Sequence, residues 1–358
     1  MKISKRMRKW CVPVLAGLLA LPCLNLLRSE AAGGIDLDEP CSLTVSVNIG
    51  AAGTADGNQA YLEDFNRMEI PVAAYRVADV DVTGQKFTPV EGFEGMDFDG
   101  LSPERDVTAA RWAELAKEAD GLRTENGVRT DRVATVKKEE GDVVNAQAKI
   151  TGLTPGLYLV VPETVYNPEY TVQYQFTPYL TALPSSLYTL TGEGSDEWVY
   201  ETEIGLKPEA VQQYGNLNIV KHLSTYNPAL GQTTFVFELV GRDASGTVRY
   251  EDYVAMDYRT GGDQTLTVTG IPAGCEVTVT EVYSGASYEI VGSDTDAAHV
   301  WSEQAIAAGV PGAQTAAVDF TNEYNGGNRG GYGVTNHFEA DGEDGWTWEN
   351  PTTPLPSE

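Results

Sequence analysis

Apolar and polar residues alternate cleanly over residues 41–49. In CSLTVSVNI the alternation puts four apolar side chains on one face: Leu43, Val45, Val47 and Ile49. A second strand region is predicted over residues 69–80. A period of two residues is typical of strands that bury one face, so the N-terminal part of the chain is predicted to form a β-domain.

Residues 102–122 replace this alternation with a helical period. Ser102 followed by Pro103 is a typical helix start, and the apolar residues after it recur at helical spacing: Trp112, Leu115, Ala116 and Ala119. We therefore predict a short helix inserted into the β-domain. The charged residues 123–142 are predicted to form a surface loop.

The strand pattern resumes after this loop and completes the first domain. Pro155 and Gly156 predict a turn that leads into an apolar strand. The predicted strand regions are 144–151, 150–165, 170–184 and 197–208. The first domain is thus predicted to span residues 38–208, and Pro208 to Gly215 is predicted to be a short connector.

Short strands at regular spacing mark a second domain over residues 215–325. They are LNIVKHL, TTFVFELVG, QTLTVTGI, CEVTVTEVY and AAVDFTNEY. Turn residues separate them and no helical period is sustained, so a β-sandwich of immunoglobulin-like size is predicted. The fold class is therefore all-β, with two domains in tandem. The glycine-rich and acidic residues 326–358 are predicted to be a poorly ordered tail.

Three strands of the second domain each carry one polar residue with the parity of the core. Lys221 shares the parity of Leu217, Ile219 and Leu223, Glu281 that of Val277 and Val279, and Asn322 that of Val318 and Phe320. On the same basis Tyr283 is predicted to point inward. A lone buried ammonium or carboxylate is costly, so three such residues call for a joint explanation.

A chemical explanation is a reaction among the three side chains. Burial lowers the pKa of a lysine and raises that of a glutamic acid, so the amine becomes a nucleophile and the acid can donate a proton. Attack of the Lys221 amine on the Asn322 carboxamide would release ammonia and leave a neutral amide. The alternative is a buried Lys221–Glu281 ion pair, with Asn322 as a hydrogen-bonding neighbour.

The lysine in the first strand, the V-T-V-T-E strand and the final F-T-N-E-Y strand resemble the CnaB-type domains of Gram-positive pilins and surface adhesins. The resemblance implies a spontaneous isopeptide bond between Lys221 and Asn322, with Glu281 as the catalytic acid. It also implies an immunoglobulin-like fold for both domains. The helical insertion fits the N-terminal domain of a pilin subunit of the SpaA or FctA kind.

The first domain carries an incomplete version of this pattern. Glu163 has the parity of the apolar residues before it, but CSLTVSVNI offers no inward lysine and EWVYETEIGLKP no asparagine. No cross-link is expected there. Lys207 resembles the acceptor lysine of sortase-built pilins, although here the lysine precedes the proline; the alternative is an ordinary surface lysine. The C-terminal PLPSE differs from an LPXTG-like signal, so the chain is expected to lack its own wall anchor.

Charge and targeting point to a secreted protein. The formal net charge of −28 over 358 residues disfavours nucleic acid and anionic lipid as partners. Residues 1–31 combine a basic start, an apolar run and small residues before Ala31, so a cleaved signal peptide is predicted; Pro13 and Pro22 make an uncleaved anchor the less favoured alternative. Cys41 and Cys275 have inward parity in different domains and are expected to be buried thiols.

The predicted function is a structural or adhesive surface subunit, located at the cell surface or cell wall. Its expected partners are other pilin or surface subunits, joined by a sortase, and a host or matrix ligand. The rival is a carbohydrate-binding or hydrolytic module that uses Trp301, Trp346 and Trp348. No hydrolase or phosphate-binding motif accompanies them, and His222, His299 and His337 are scattered along the chain. The acidic loops DVDVTG and DGEDG lack calcium-loop spacing. We expect no enzymatic activity other than self-cross-linking, and we expect neither a cofactor nor a bound metal.

Overall fold

The computed structural model describes residues 34–47, 61–84, 86–98, 109–130, 132–139, 145–186, 197–327, 338–340 and 346–348. The chain forms two compact units, and the main boundary between them in the sequence lies between Tyr214 and Gly215. Both are built mainly from β-strands, so the all-β prediction is confirmed. The predicted signal peptide, Ile49, the Ser102–Pro103 helix start, His337 and the acidic loop 341–345 lie outside the described residues.

In its described residues, the first unit combines strands with two helices. Their bounds are β1 Cys41–Ser46, α1 Leu62–Phe65, β2 Ile70–Val80, β3 Phe87–Pro89, α2 Ala109–Glu125, β4 Val133–Val136, β5 Gln147–Leu153, β6 Gly156–Pro162, β7 Val165–Tyr166, β8 Val172–Phe176, β9 Tyr179–Leu183, β10 Ser185–Ser186, β11 Trp198–Val199, β12 Glu201–Gly205 and β13 Pro208–Gln212.

The largest sheet of this unit has the order β3-β2-β6-β9, with β4 also paired to β2. Its two faces contribute to two separate apolar cores. One core joins β2 and β6 to the sheet β12-β1-β5 and to β8, and the other lies under α2. The residues predicted at helical spacing, Trp112, Leu115, Ala116 and Ala119, are all buried in the second core, which explains why an isolated helix is stable in a β-domain.

Two predictions for the first unit were wrong. Residues 123–142 are not simply a loop, because α2 runs to Glu125 and β4 pairs antiparallel with β2. Only Val136 of β4 is fully buried, so the strand has little hydrophobic signal. The predicted connector after Pro208 contains β13, which pairs antiparallel with β8. Proline is compatible with the first position of such an edge strand.

The second unit is a sandwich of two four-stranded sheets. Its elements are β14 Tyr214–Leu223, β15 Thr233–Arg242, β16 Val248–Tyr258, β17 Gly262–Pro272, β18 Glu276–Tyr283, β19 Tyr288–Val291, β20 Thr295–His299, α3 Glu303–Ala307 and β21 Ala316–Tyr324. The sheet orders are β17-β14-β21-β19 and β16-β15-β18-β20. Alternate residues of both sheets form one core.

The first and last strands of this unit, β14 and β21, are parallel neighbours in one sheet. Strands β16, β19 and β20 were not predicted, since all three lie at sheet edges and are largely exposed. Further along, β22 Phe338–Ala340 pairs antiparallel with β23 Trp346–Trp348. Along the described part of the chain, no helix has the length and apolar character required to cross a membrane.

Candidate functional site

Parallel pairing of β14 and β21 brings Lys221 and Asn322 together. In this register Lys221 lies opposite Phe320, and Leu223 lies opposite Asn322. Opposite residues on neighbouring strands share a face, so the lysine and the asparagine both point into the core, diagonally offset by two residues. A diagonal offset of this kind is within reach of a long side chain. Both side chains are fully buried, with 0% exposure.

Glu281 reaches the same point from the facing sheet. It lies on β18 opposite Phe237 of β15, and it is 5% exposed. The next register pair joins Val236 to Tyr283, so Val282 is an extra residue in β18. This β-bulge reverses the side-chain alternation after Glu281. Tyr283 is therefore 49% exposed, and the prediction that it points inward was wrong.

The three side chains form a closed hydrogen-bonded group. Lys221 Nζ donates to Glu281 Oε2 at 2.6 Å, and it also donates to Asn322 Oδ1. Asn322 Nδ2 donates to the second glutamate oxygen, Oε1, at 2.7 Å. One carboxyl group thus bridges the amine nitrogen and the amide nitrogen, which are the atoms that lose and gain a proton when an amine displaces ammonia from an amide.

Aromatic rings surround the lysine. The centroids of Phe235, Phe237 and Phe320 lie 4.7, 5.6 and 6.0 Å from Lys221 Nζ. All three phenylalanines are at most 1% exposed. The polar atoms of the group therefore have each other, rather than water, as their principal partners, and electrostatic interactions among them are strong.

Backbone contacts hold the two reactive strands at this point. Ser224 donates to the Asn322 carbonyl oxygen from its backbone N–H at 3.0 Å and from its hydroxyl at 3.2 Å. The Tyr258 hydroxyl donates to the Lys221 carbonyl oxygen at 2.6 Å. Neither residue was singled out from the sequence. Tyr258 ends the mostly exposed strand β16, whose pattern gave no strand signal.

Burial shifts both ionisable groups toward their neutral forms. Desolvation lowers the pKa of Lys221, although the hydrogen bond to Glu281 acts in the opposite direction. Desolvation also raises the pKa of Glu281 by more than its contacts with Lys221 and Asn322 lower it. A neutral amine beside a protonated carboxylic acid is the protonation state that amide exchange requires.

The other residues singled out from the sequence lie apart from this group. Lys207 is half-buried in the first unit, between β12 and β13, with its Nζ 4.5 Å from the centroid of the Tyr179 ring. Glu163 is exposed just beyond the end of β6. Cys41 and Cys275 are buried free thiols.

The residues of the rival interpretation lie in separate segments of the chain. Trp301 is half-buried and packs edge-on against His299, with the ring centroids 4.8 Å apart. Trp346 and Trp348 belong to β23. His222 lies between two aspartates. In DVDVTG, the Asp81 carboxylate accepts hydrogen bonds within its own turn. Among the described residues, no group of His, Cys, Asp and Glu is arranged to hold a metal.

A domain family of unknown function, DUF5979, matches residues 217–325. This range contains Lys221, Glu281 and Asn322, and it covers less than half of the chain. No curated protein matches the chain in sequence.

Several solved structures of Gram-positive pilins match over most of the chain. The minor pilin GBS52 of Streptococcus agalactiae is 13% identical over 79% of this chain and 96% of its own, with a TM-score of 0.24. The major pilin SpaD of Corynebacterium diphtheriae is 12% identical over 81% and 99%, with a TM-score of 0.26. The basal pilin SpaE of Lactobacillus rhamnosus GG is 12% identical over 79% and 99%, with a TM-score of 0.30. Likeness at this level of identity and TM-score assigns no function to the chain.

Proposed function

We propose that the second unit forms an intramolecular amide bond between Lys221 and Asn322, with Glu281 as the catalytic acid. We further propose that the chain is a pilin-like structural or adhesive subunit of a Gram-positive cell surface, and that this bond stabilises it mechanically. The observation that carries the proposal is the dry contact of an amine, a carboxamide and a carboxyl group from three strands.

The reaction balances within these three side chains. A proton moves from the lysine ammonium to Glu281, which leaves a neutral amine and a carboxylic acid. The amine Nζ then attacks Asn322 Cγ. As the Cγ–Nδ2 bond breaks, Glu281 donates its proton to Nδ2 and accepts the remaining surplus proton of Nζ. The products are a secondary amide and free ammonia, so neither an external enzyme nor a cofactor is required. Packing supplies the effective concentration of the reactants.

The alternative to this reaction is a permanent buried ion pair. Such a pair often contributes little net stability, because taking two charges out of water costs about as much as their attraction returns. Here burial lowers the pKa of Lys221 and raises that of Glu281, and both shifts act against the charged forms that an ion pair needs. The amide of Asn322 is also oriented for the reaction, with its oxygen toward the amine and its nitrogen toward the acid.

A mechanical role follows from the strands that the bond would join. β14 and β21 are the first and last strands of the unit, and they run parallel to each other. Tension applied at the two ends of the unit would load them in shear. A covalent link from Lys221 to Asn322 would pass that force directly between the strands, so the sandwich between the two residues would not unfold under load.

This role agrees with a secreted surface subunit. Its partners would be other pilin or surface subunits, joined through a sortase with Lys207 as the candidate acceptor, and a host or matrix ligand. The strong negative charge disfavours nucleic acid and anionic membranes. Self-cross-linking would be its only chemistry. No observation in the described residues favours the carbohydrate-binding or hydrolytic alternative.

Intact mass tests the bond. The purified chain is expected to weigh one ammonia less than the mass calculated for the residues that it contains, and Lys221→Ala or Glu281→Ala should restore the full calculated mass. Lys207→Ala is the matched control, because it removes a lysine outside the site and should keep the ammonia loss. A wild-type chain at its full sequence mass would refute the reaction.

A further inference from the structure

Tyr258 is a buried polar residue that the proposed reaction does not use. It ends β16, in the sheet that faces the lysine, and none of its surface is exposed. Its hydroxyl donates to the Lys221 backbone carbonyl at 2.6 Å. This hydrogen bond crosses the sandwich and fixes the backbone of the reactive lysine to the opposite sheet.

The ring of Tyr258 adds an indirect contact with the tip of the same lysine. It packs edge-on against Phe235, with centroids 5.5 Å apart and planes at 89°. The face of Phe235 in turn lies 4.7 Å from Lys221 Nζ. Tyr258 therefore acts on the lysine at its backbone directly and at its nitrogen through one intervening ring.

We propose that Tyr258 is a positioning residue for the Lys221–Asn322 reaction, an inference that rests on the proposed function. Amine attack needs the reacting atoms about 3–3.5 Å apart and aligned, and small displacements cost large factors in rate. A lysine side chain has four rotatable bonds. Fixing both its backbone and its terminal nitrogen therefore removes most of the conformational freedom of the side chain. Tyr258 contacts none of the reacting atoms, so its effect would be on geometry alone.

The hydroxyl of Tyr258 also stays a donor across the pH range of the reaction. Burial raises its pKa to about 12, so the phenol remains protonated near neutral pH. The titrating groups of the reaction are Lys221 and Glu281. Loss of the hydroxyl should therefore lower the rate without moving its pH dependence.

Tyr288 provides a matched control. It is also buried and packs edge-on against Phe235, at 5.8 Å and 71°. Its hydroxyl oxygen accepts a hydrogen bond from the Asn227 backbone N–H instead. Tyr288→Phe thus removes the same atom from a similar environment without removing a contact to the lysine.

The test measures the rate of ammonia loss in newly made protein. The full chain is made by cell-free translation, and translation is then stopped. Samples are denatured in acid at intervals, and their intact mass is measured by mass spectrometry. We expect Tyr258→Phe to react about tenfold more slowly than wild type, the effect of misplacing an oriented reactant. We expect Tyr288→Phe to stay within about twofold of wild type, and the pH profile of Tyr258→Phe to be unchanged.

The free energy of unfolding of Tyr258→Phe and Tyr288→Phe is measured in an Asn322→Ala background, in which the bond cannot form. This gives the effect of each substitution on stability apart from the cross-link. Equal slowing of the two variants, slowing in proportion to lost stability, or a shifted pH profile would overturn the positioning role. So would a wild-type rate in Tyr258→Phe. If that variant fails to fold, Phe235→Leu keeps the hydroxyl and removes the second contact, and it must also react more slowly. If wild type itself loses no ammonia, the proposed function fails before the variants are compared.

Discussion

Substitution of Asn322 by alanine should expose the energetic contribution of the bond. It removes the electrophile while Lys221 and Glu281 stay paired. Lys221 and Asn322 are 101 residues apart, and cross-linking a loop of this length constrains the unfolded chain by about 4.7 kcal/mol. The expected loss in the free energy of unfolding is therefore about 4.7 kcal/mol.

Scanning calorimetry of the full chain can measure this loss, because two compact units are expected to unfold in separate transitions, of which only the second should move. The loop contribution alone predicts a melting temperature lower by roughly 20–30 °C for a unit of this size. Glu281→Gln keeps the side-chain volume but removes the proton donor, so it should lack the bond and lose at least the same loop contribution. If both variants unfold within about 0.5 kcal/mol of wild type, a difference typical of an ordinary surface change, the cross-link does not exist.

Two further predictions concern groups outside the reaction. The hydrogen bond between His222 and Asp263 raises the pKa of the histidine, and Asp319 lies on the other side of its ring. The folded-state pKa therefore lies above the unfolded value of about 6.5. The contribution of the protonated histidine to stability is complete below that pH and is lost as the pH rises through the folded-state pKa. The melting temperature of Asn322→Ala should accordingly fall from pH 6 to 8 by more than that of Asn322→Ala/His222→Gln, and equal slopes would contradict the coupling. Burial raises the pKa of Cys275 and raises that of Cys41 to about 11, so iodoacetamide should label these two thiols only after unfolding. Peptide mapping that found Cys41 or Cys275 labelled in the native chain would contradict this.

The candidate site was predictable because its three strands alternate without interruption up to the residues concerned. In a half-buried strand, parity alone decides which side chains enter the core, and it assigned Lys221, Glu281 and Asn322 correctly. The same rule failed two residues later at Tyr283, because a bulge reverses the alternation there. A bulge depends on how two strands pair, and that information is not local in sequence.

Elements with weak hydrophobic patterns were missed for a related reason. β16 buries only Met256 and Tyr258, and β4 fully buries only Val136. Each is stabilised as a strand by its partner rather than by its own composition. Tyr258 was missed as part of the site together with its strand, although it donates to the backbone of the reactive lysine.

Peptide mapping tests the central claim most directly. The full chain is digested with a protease and the fragments are sequenced by tandem mass spectrometry. The account predicts a branched peptide in which Lys221 Nζ is joined to Asn322 Cγ, lighter by one ammonia than its two parts, and absent from Glu281→Ala. Recovery of two separate linear peptides from wild type, one with an unmodified Lys221 and the other with an intact Asn322, would contradict it.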